Sequence, residues 1–179
     1  VDAQVATALA SPPNFAALYA QQASFVWRSV RRLGVPEADV EDAAQEAFVV
    51  IHRKLPEFEG RSALKTWIFG ICMRVASDWR KRAHIRREAP MEEAPERTSS
   101  GETPTRQIAM KQARTMLDQA LAGLDEDKRA VFVLFELEQA TMQEVAEAVG
   151  VPLQTAYARL YAARRFIEAW LAEHQEARA

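Results

Sequence analysis

The sequence predicts an all-α chain, and three observations carry that prediction. Only six glycines occur in 179 residues, while the helix-favouring Ala, Leu, Glu, Arg and Gln are frequent. Apolar residues recur at steps of three and four. No alternating apolar and polar run extends beyond a few residues. With 49% hydrophobic content, the chain can bury one medium core or two small ones.

The elements follow in order. Val5–Leu9 is a short, weak helical segment. Phe15–Leu33 repeats Phe15, Leu18, Tyr19, Phe25, Val26 and Val30 on one side, and Gly34, Val35 and Pro36 end it. Glu37–Leu55 carries Val40, Ala44, Ala47, Phe48, Ile51 and Leu55 on one stripe, and Pro56 stops it. A charged connector, residues 57–61, leads to Ser62, a candidate N-cap. The helix after it has the clearest period: Leu64, Trp67, Ile68, Ile71, Cys72, Val75, Ala76 and Trp79.

Residues 88–106 hold three prolines, a Ser-Ser-Gly triplet and little apolar mass, a flexible-linker composition. They divide the chain into an N-terminal unit, 1–87, and a C-terminal unit, 107–179. The formal net charge of −2 hides a polarity. Arg74 to Arg87 hold six basic residues against Asp78, and Glu88 to Glu102 hold five acids against Arg97.

The C-terminal unit opens with a helix from about Arg106 to Leu121. A turn at Leu124–Asp127 follows, then a helix from Glu126 to Glu138 with Val131, Phe132, Leu134 and Phe135. Thr141 and Glu144 form a capping box. Gly150 stands where a left-handed residue ends a helix, and Pro152 suits the first turn of the next. That next helix buries Ala156, Leu160, Ala163, Ile167 and Trp170. Its other face holds Gln154, Thr155, Ala158, Arg159, Ala162 and Arg165, with Tyr157 and Tyr161 flanking. Small residues among Arg, Gln and Thr allow a helix to lie in a DNA major groove. By itself the pattern fits a DNA-reading helix-turn-helix or an ordinary solvated hairpin.

Two further surfaces stand out. The second helix sets Asp39, Asp42, Gln45, Glu46 and Val49 opposite its core, either a docking face for a basic partner helix or a solvated one. The third helix shows Lys65, Thr66, Met73, Arg74, Ser77, Asp78 and Lys81 outside its stripe, continued by the basic tract to Arg87. Basic residues neutralise phosphates, and nearby aromatics can stack unpaired bases. Phe58, Trp67 and Phe69 are the candidates, with Trp67 also on the core stripe.

Several classes are excluded. Cys72 is the only cysteine, so no intramolecular disulfide forms. His52, His84 and His174 stand apart, without metal-ligand spacing. There is no glycine-rich phosphate loop and no catalytic constellation, so neither an enzyme nor a cofactor or metal site is expected. No signal peptide or membrane span is visible, and a cytoplasmic location is expected.

Taken together, three runs resemble region 2 of extracytoplasmic-function sigma factors: Asp42 to Phe48; Phe58, Gly60, Ser62, Thr66, Trp67 and Ile68; and Val75, Asp78, Trp79 and Arg82. Leu124 through Phe135, Glu144 to Ala146 and Gly150 through Leu160 resemble region 4. The resemblance spans nearly the whole chain in order.

The resemblance implies the following roles. Asp39, Asp42, Gln45, Glu46, Phe48 and Val49 would bind the clamp helices of core RNA polymerase. Phe58, Arg61, Ser62, Lys65, Thr66, Trp67, Arg74, Ser77, Lys81 and Arg82 would hold, read and melt the −10 element. Gln154, Thr155, Tyr157, Ala158, Arg159 and Arg165 would read the −35 element. The partners would be core RNA polymerase, promoter DNA and an anti-sigma factor, with the chain itself monomeric. The family often has Asn at the position of Arg74, which implies an altered −10 preference, since Arg favours guanine or phosphate. The competing readings are a stand-alone helix-turn-helix regulator and a protein-binding helical adaptor.

Overall fold

The computed structural model describes residues 14–88 and 104–176, and all regular structure in them is helical. Seven α-helices follow one another: α1 Phe15–Arg32, α2 Val40–Lys54, α3 Leu64–Glu88, α4 Pro104–Ala122, α5 Glu126–Phe132, α6 Met142–Val149 and α7 Leu153–Glu176. Short 3₁₀ turns at Glu37–Asp39 and Leu55–Glu57 and a π turn at Val133–Leu137 link them.

The first three helices pack pairwise on one another. The Asn14 side chain accepts from the Ala16 N–H at 3.0 Å and so caps α1. Arg31 and Arg32 occupy its last turn, where cations oppose the helix dipole. Gly34 then turns the chain at φ +91°. Val26, Val30, Ala43, Ala47, Ile51, Ile68, Phe69 and Cys72 are wholly buried between the three helices. Truncating one such Ile to Ala costs about 2–5 kcal/mol.

The second half centres on α7, against which α4, α5 and α6 pack. Leu121, Val131, Val133, Leu134, Val145, Ala156, Leu160 and Ala163 form its buried interior. The expected helix-turn-helix is present in detail. The Glu144 N–H donates to Thr141 Oγ1 at 3.3 Å, and the Thr141 N–H donates to Glu144 Oε2 at 2.8 Å. Gly150 is left-handed at φ +69°, and the Val151 N–H reaches back to the Ala146 carbonyl at 3.0 Å. That last bond satisfies a carbonyl that the end of α6 leaves open.

Three details differ from the sequence reading. Helix α3 starts at Leu64, with the Ala63 carbonyl accepting the Trp67 N–H at 3.1 Å, so Ser62 precedes the cap position. The expected helix to Glu138 divides at Phe132. Five π-wound residues follow, and the left-handed Gln139, at φ 58°, closes the segment. Helix α4 reaches back to Pro104, since proline costs no hydrogen bond in a first turn. Val5–Leu9 and residues 89–103 lie outside the described residues.

The two halves are not separate bodies: α3 also packs on α6, and the buried apolar cluster runs through both. Helix α3 therefore meets neighbours on three sides, α1, α2 and α6. Its buried surface is broader than one stripe.

Candidate nucleic-acid interface

The acidic face of α2 divides into two parts. Asp42, Gln45 and Val49 are exposed. Asp39 and Glu46 turn instead toward the basic end of α3. Arg86 pairs with Asp39. Glu46 accepts from Trp79 Nε1 at 2.9 Å and from Arg82 at 3.1 Å. At this edge the acidic face meets basic residues of its own chain. Phe48 is buried, in an aromatic group with Tyr19 at 4.5 Å and Phe15 at 6.4 Å between ring centroids. Beside it lies a groove of about 420 Å³, lined by Phe15, Tyr19, Gln45, Phe48, Val49, His52 and Arg53.

Around the connector, Phe58 and Trp67 are half-buried and lie 5.0 Å apart between centroids. Gly60 takes φ +68° with open space around it, and Arg61 beside it is exposed and pairs with Glu59. Lys65 reaches over the Phe25 ring at 5.0 Å. Arg74, Lys81 and Arg82 are exposed along α3. Thr66 and Phe69 are corrected: both are buried, Phe69 completely. Phe69 packs on Phe25 of α1, with ring centroids 6.4 Å apart, and neither side chain lies on the solvent face. Ser77 is half-buried, beside Glu126 of α5.

On α7, Gln154, Thr155, Tyr157, Ala158 and Arg165 are exposed. They stand on the side away from Ala156, Leu160 and Ala163, as the period requires. Tyr157 and Tyr161 stack with centroids 6.3 Å apart, an apolar platform one turn long. Arg159 is not free: its guanidinium meets Asp127 at 2.6 Å. Nothing in the sequence period marked that pair, because Asp127 reads as a helix-start acid.

The sequence also gave no sign of Arg129. This buried side chain donates to four backbone carbonyls: Leu121 at 2.7 Å, Leu124 at 2.8 Å, Leu33 at 3.0 Å and Ala122 at 3.1 Å. A guanidinium has five N–H donors and is well suited to such a cluster. Glu126 sits close by. Partial burial pushes its pKa up, but hydrogen bonds from Arg80 and Ser77 outweigh that and hold it below the usual glutamate value. Cys72 is buried and its thiol is pushed up to about 12, which leaves no reactive thiolate. No group of His, Cys, Asp and Glu among the described residues could hold a metal.

These surfaces have known counterparts. A family model described as "Sigma-70 region 2" matches residues 18–86, and one described as "Sigma-70, region 4" matches residues 114–167. The ECF RNA polymerase sigma-E factor of Escherichia coli strain K12 is 29% identical over 142 residues, 75% of this chain and 74% of that one. Its Haemophilus influenzae counterpart is 28% identical over 143 residues, 75% of both chains. Two solved structures share the fold. One is CnrH in complex with the cytosolic domain of CnrY, with TM-score 0.65, 24% identity, and coverage of 89% of this chain and 88% of that one. The other is the sigma factor RpoE with the anti-sigma factor NepR from Bartonella quintana, with TM-score 0.66, 21% identity, and coverage of 88% and 96%.

Proposed function

The chain belongs to the extracytoplasmic-function sigma factors, with regions 2 and 4 in one polypeptide, and from that premise we propose how its surfaces share the work of initiation. A sigma factor is not an enzyme. It directs RNA polymerase to chosen promoters, and synthesis stays with the polymerase. Residues 1–87 serve as the region 2 domain, 88–106 as a linker, and 107–179 as the region 4 domain.

Asp42, Gln45 and Val49 dock the clamp helices of core polymerase, with the adjoining apolar groove taking a partner side chain. Phe58 and Trp67, with Arg61 and Ser62 nearby, hold a base taken out of the −10 element. Such capture offsets an unstacking cost of a few kcal/mol. Arg74, Ser77, Lys81 and Arg82 line the same strand. Gln154, Thr155, Tyr157, Ala158, Arg159 and Arg165 read the −35 element as duplex. The observation that best supports this reading is the exposed polar face of α7 in a fully capped helix-turn-helix.

An anti-sigma factor holds the chain inactive. The support is that RpoE, a sigma factor of the same fold, was solved with one. The chain acts in the cytoplasm as a monomer; among the described residues no helix is long and apolar enough to cross a membrane. Run-off transcription with core polymerase tests the assignment. Arg159→Ala lowers transcript from promoters that depend on a −35 element by roughly 5- to 150-fold, the worth of one good base contact of about 1–3 kcal/mol. Undiminished transcript would remove Arg159 from the reading surface.

A further inference from the structure

Helix α7 carries an exposed apolar stripe beside the polar groups that meet DNA. Leu153, Tyr157 and Tyr161 follow one another at steps of four and are 42%, 40% and 57% exposed. Side chains at that spacing are neighbours on one side of a helix. The two tyrosine rings lie at 23° to each other with centroids 6.3 Å apart, so each restrains the other. Neither belongs to the core, which α7 meets through Ala156, Leu160, Ala163 and Ile167. Next to the rings, Ala158 is exposed and Ala162 half-buried. Their small side chains let the helix approach closely whatever lies opposite.

The charges around the stripe are largely engaged already. Arg159 is held by Asp127 at 2.6 Å and Arg164 by Glu136 at 2.5 Å, one on each side of the buried stripe. Gln154, Thr155 and Arg165 supply exposed hydrogen-bonding groups. In the major groove every base pair shows donors or acceptors, but only one kind of apolar group, the C5 methyl of thymine. An apolar ring placed there has that methyl as its match. Tyr157 and Tyr161 stand about 6 Å apart along the helix, while stacked bases repeat every ~3.4 Å. The two rings therefore cover neighbouring base-pair steps.

We propose that Tyr157 and Tyr161 read thymine methyl groups, so that the duplex under α7 is specified in part by thymines within about three successive base pairs. The proposal rests on the assignment of α7 to the −35 element and deepens it. Gln154 and Arg165 select patterns of donors and acceptors, and the tyrosine pair selects the methyl. A tyrosine hydroxyl on a phosphate would add affinity without sequence, and a protein seated on the stripe would be blind to the base. Neither of those contacts depends on a methyl group.

Deoxyuridine tests the assignment, because it differs from thymidine by that methyl alone. The full chain with core polymerase is given run-off templates that carry the −35 box selected from a randomised library. Each thymine of the box, on either strand, is replaced in turn by deoxyuridine. The wild-type chain should lose transcript by about 3- to 5-fold at one or two neighbouring positions, the worth of one buried methyl group, and keep it elsewhere in the box. Tyr157→Ala and Tyr161→Ala should each lower transcript from the thymine template and abolish its advantage over deoxyuridine at one position. Tyr161→Phe keeps the ring and should keep that advantage. If one alanine variant fails to fold, the other gives the answer. A selected box without thymine, or an advantage that persists in both alanine variants, overturns the proposal. Alanine variants that weaken both templates alike point to a phosphate or a protein contact and overturn it as well. Transcript indifferent to the methyl removes this proposal alone, whereas no transcript from any template removes the −35 assignment and the proposal with it.

Discussion

At the scale of single residues, the distinction that matters is between aromatic side chains that look alike in sequence. Phe58 and Phe69 both sit near the basic helix, yet Phe58 is half-buried in the connector and Phe69 is fully enclosed. Phe58→Ala should cut open-complex formation by roughly 5- to 150-fold, since stacking one base contributes about 1–3 kcal/mol, and should leave thermal stability near wild type. Phe69→Ala should instead cost about 3–5 kcal/mol of stability, read as a drop in Tm by circular dichroism. A reversed pattern would move the base-holding role away from Phe58. The sequence separated these two poorly. Periodicity placed Trp67 and Ile68 on the core stripe, but the packing of Phe69 on Phe25 of α1 is a long-range contact that no local window contains.

At the scale of elements, short-range chemistry carried most of the information. Thr141, Glu144, Gly150 and Pro152 act within a few residues of one another, and the capping box and left-handed turn they imply are both present. Thr141→Ala should cost about 1 kcal/mol, measured as a shift in the urea midpoint. An unchanged midpoint would mean that the cap does not limit stability. The break of the 126–138 helix into α5 and a π turn was not legible, because Val133 through Leu137 read as good helix. Its effect is to bring Glu138 to the arginines of α1, a requirement set by the other half of the chain. Asp39 and Glu46 have basic partners that were not legible for the same reason. Their spacing on α2 was right, but their partners Arg86 and Arg82 lie 47 and 36 residues away.

At the scale of the whole molecule, the all-α class and the two halves could be read from the residues, and their closure on each other could not. It depends on Arg31, Arg32, Arg80 and Arg129, each of which reads as an ordinary surface arginine. The fold should also be acid-sensitive. The Lys128 side chain and backbone hold Asp125 below its usual range, Thr141 holds Glu144 low, and Glu126 is held low by Arg80 and Ser77 despite its burial. A carboxyl whose folded pKa lies below its unfolded value stabilises the fold above the unfolded pKa, and that contribution fades as pH falls through the folded one. The ordinary values are 3.8 for Asp and 4.5 for Glu. Stability should therefore be level near neutrality and decline below about pH 5. A Tm that stays constant down to pH 3 would contradict those pairings.

The central claim is that this chain selects promoters only as a subunit of RNA polymerase, with α7 reading one element and α3 with Phe58 the other. Run-off transcription from a library randomised at both elements, with and without core polymerase, tests it most directly. The account predicts that transcripts enrich two sequence boxes, one at each element, only when chain and core are both present. It also predicts that Arg159→Ala flattens the −35 box while sparing the −10 box. No enrichment with core, or tight selection of duplex DNA by the chain alone, would contradict it.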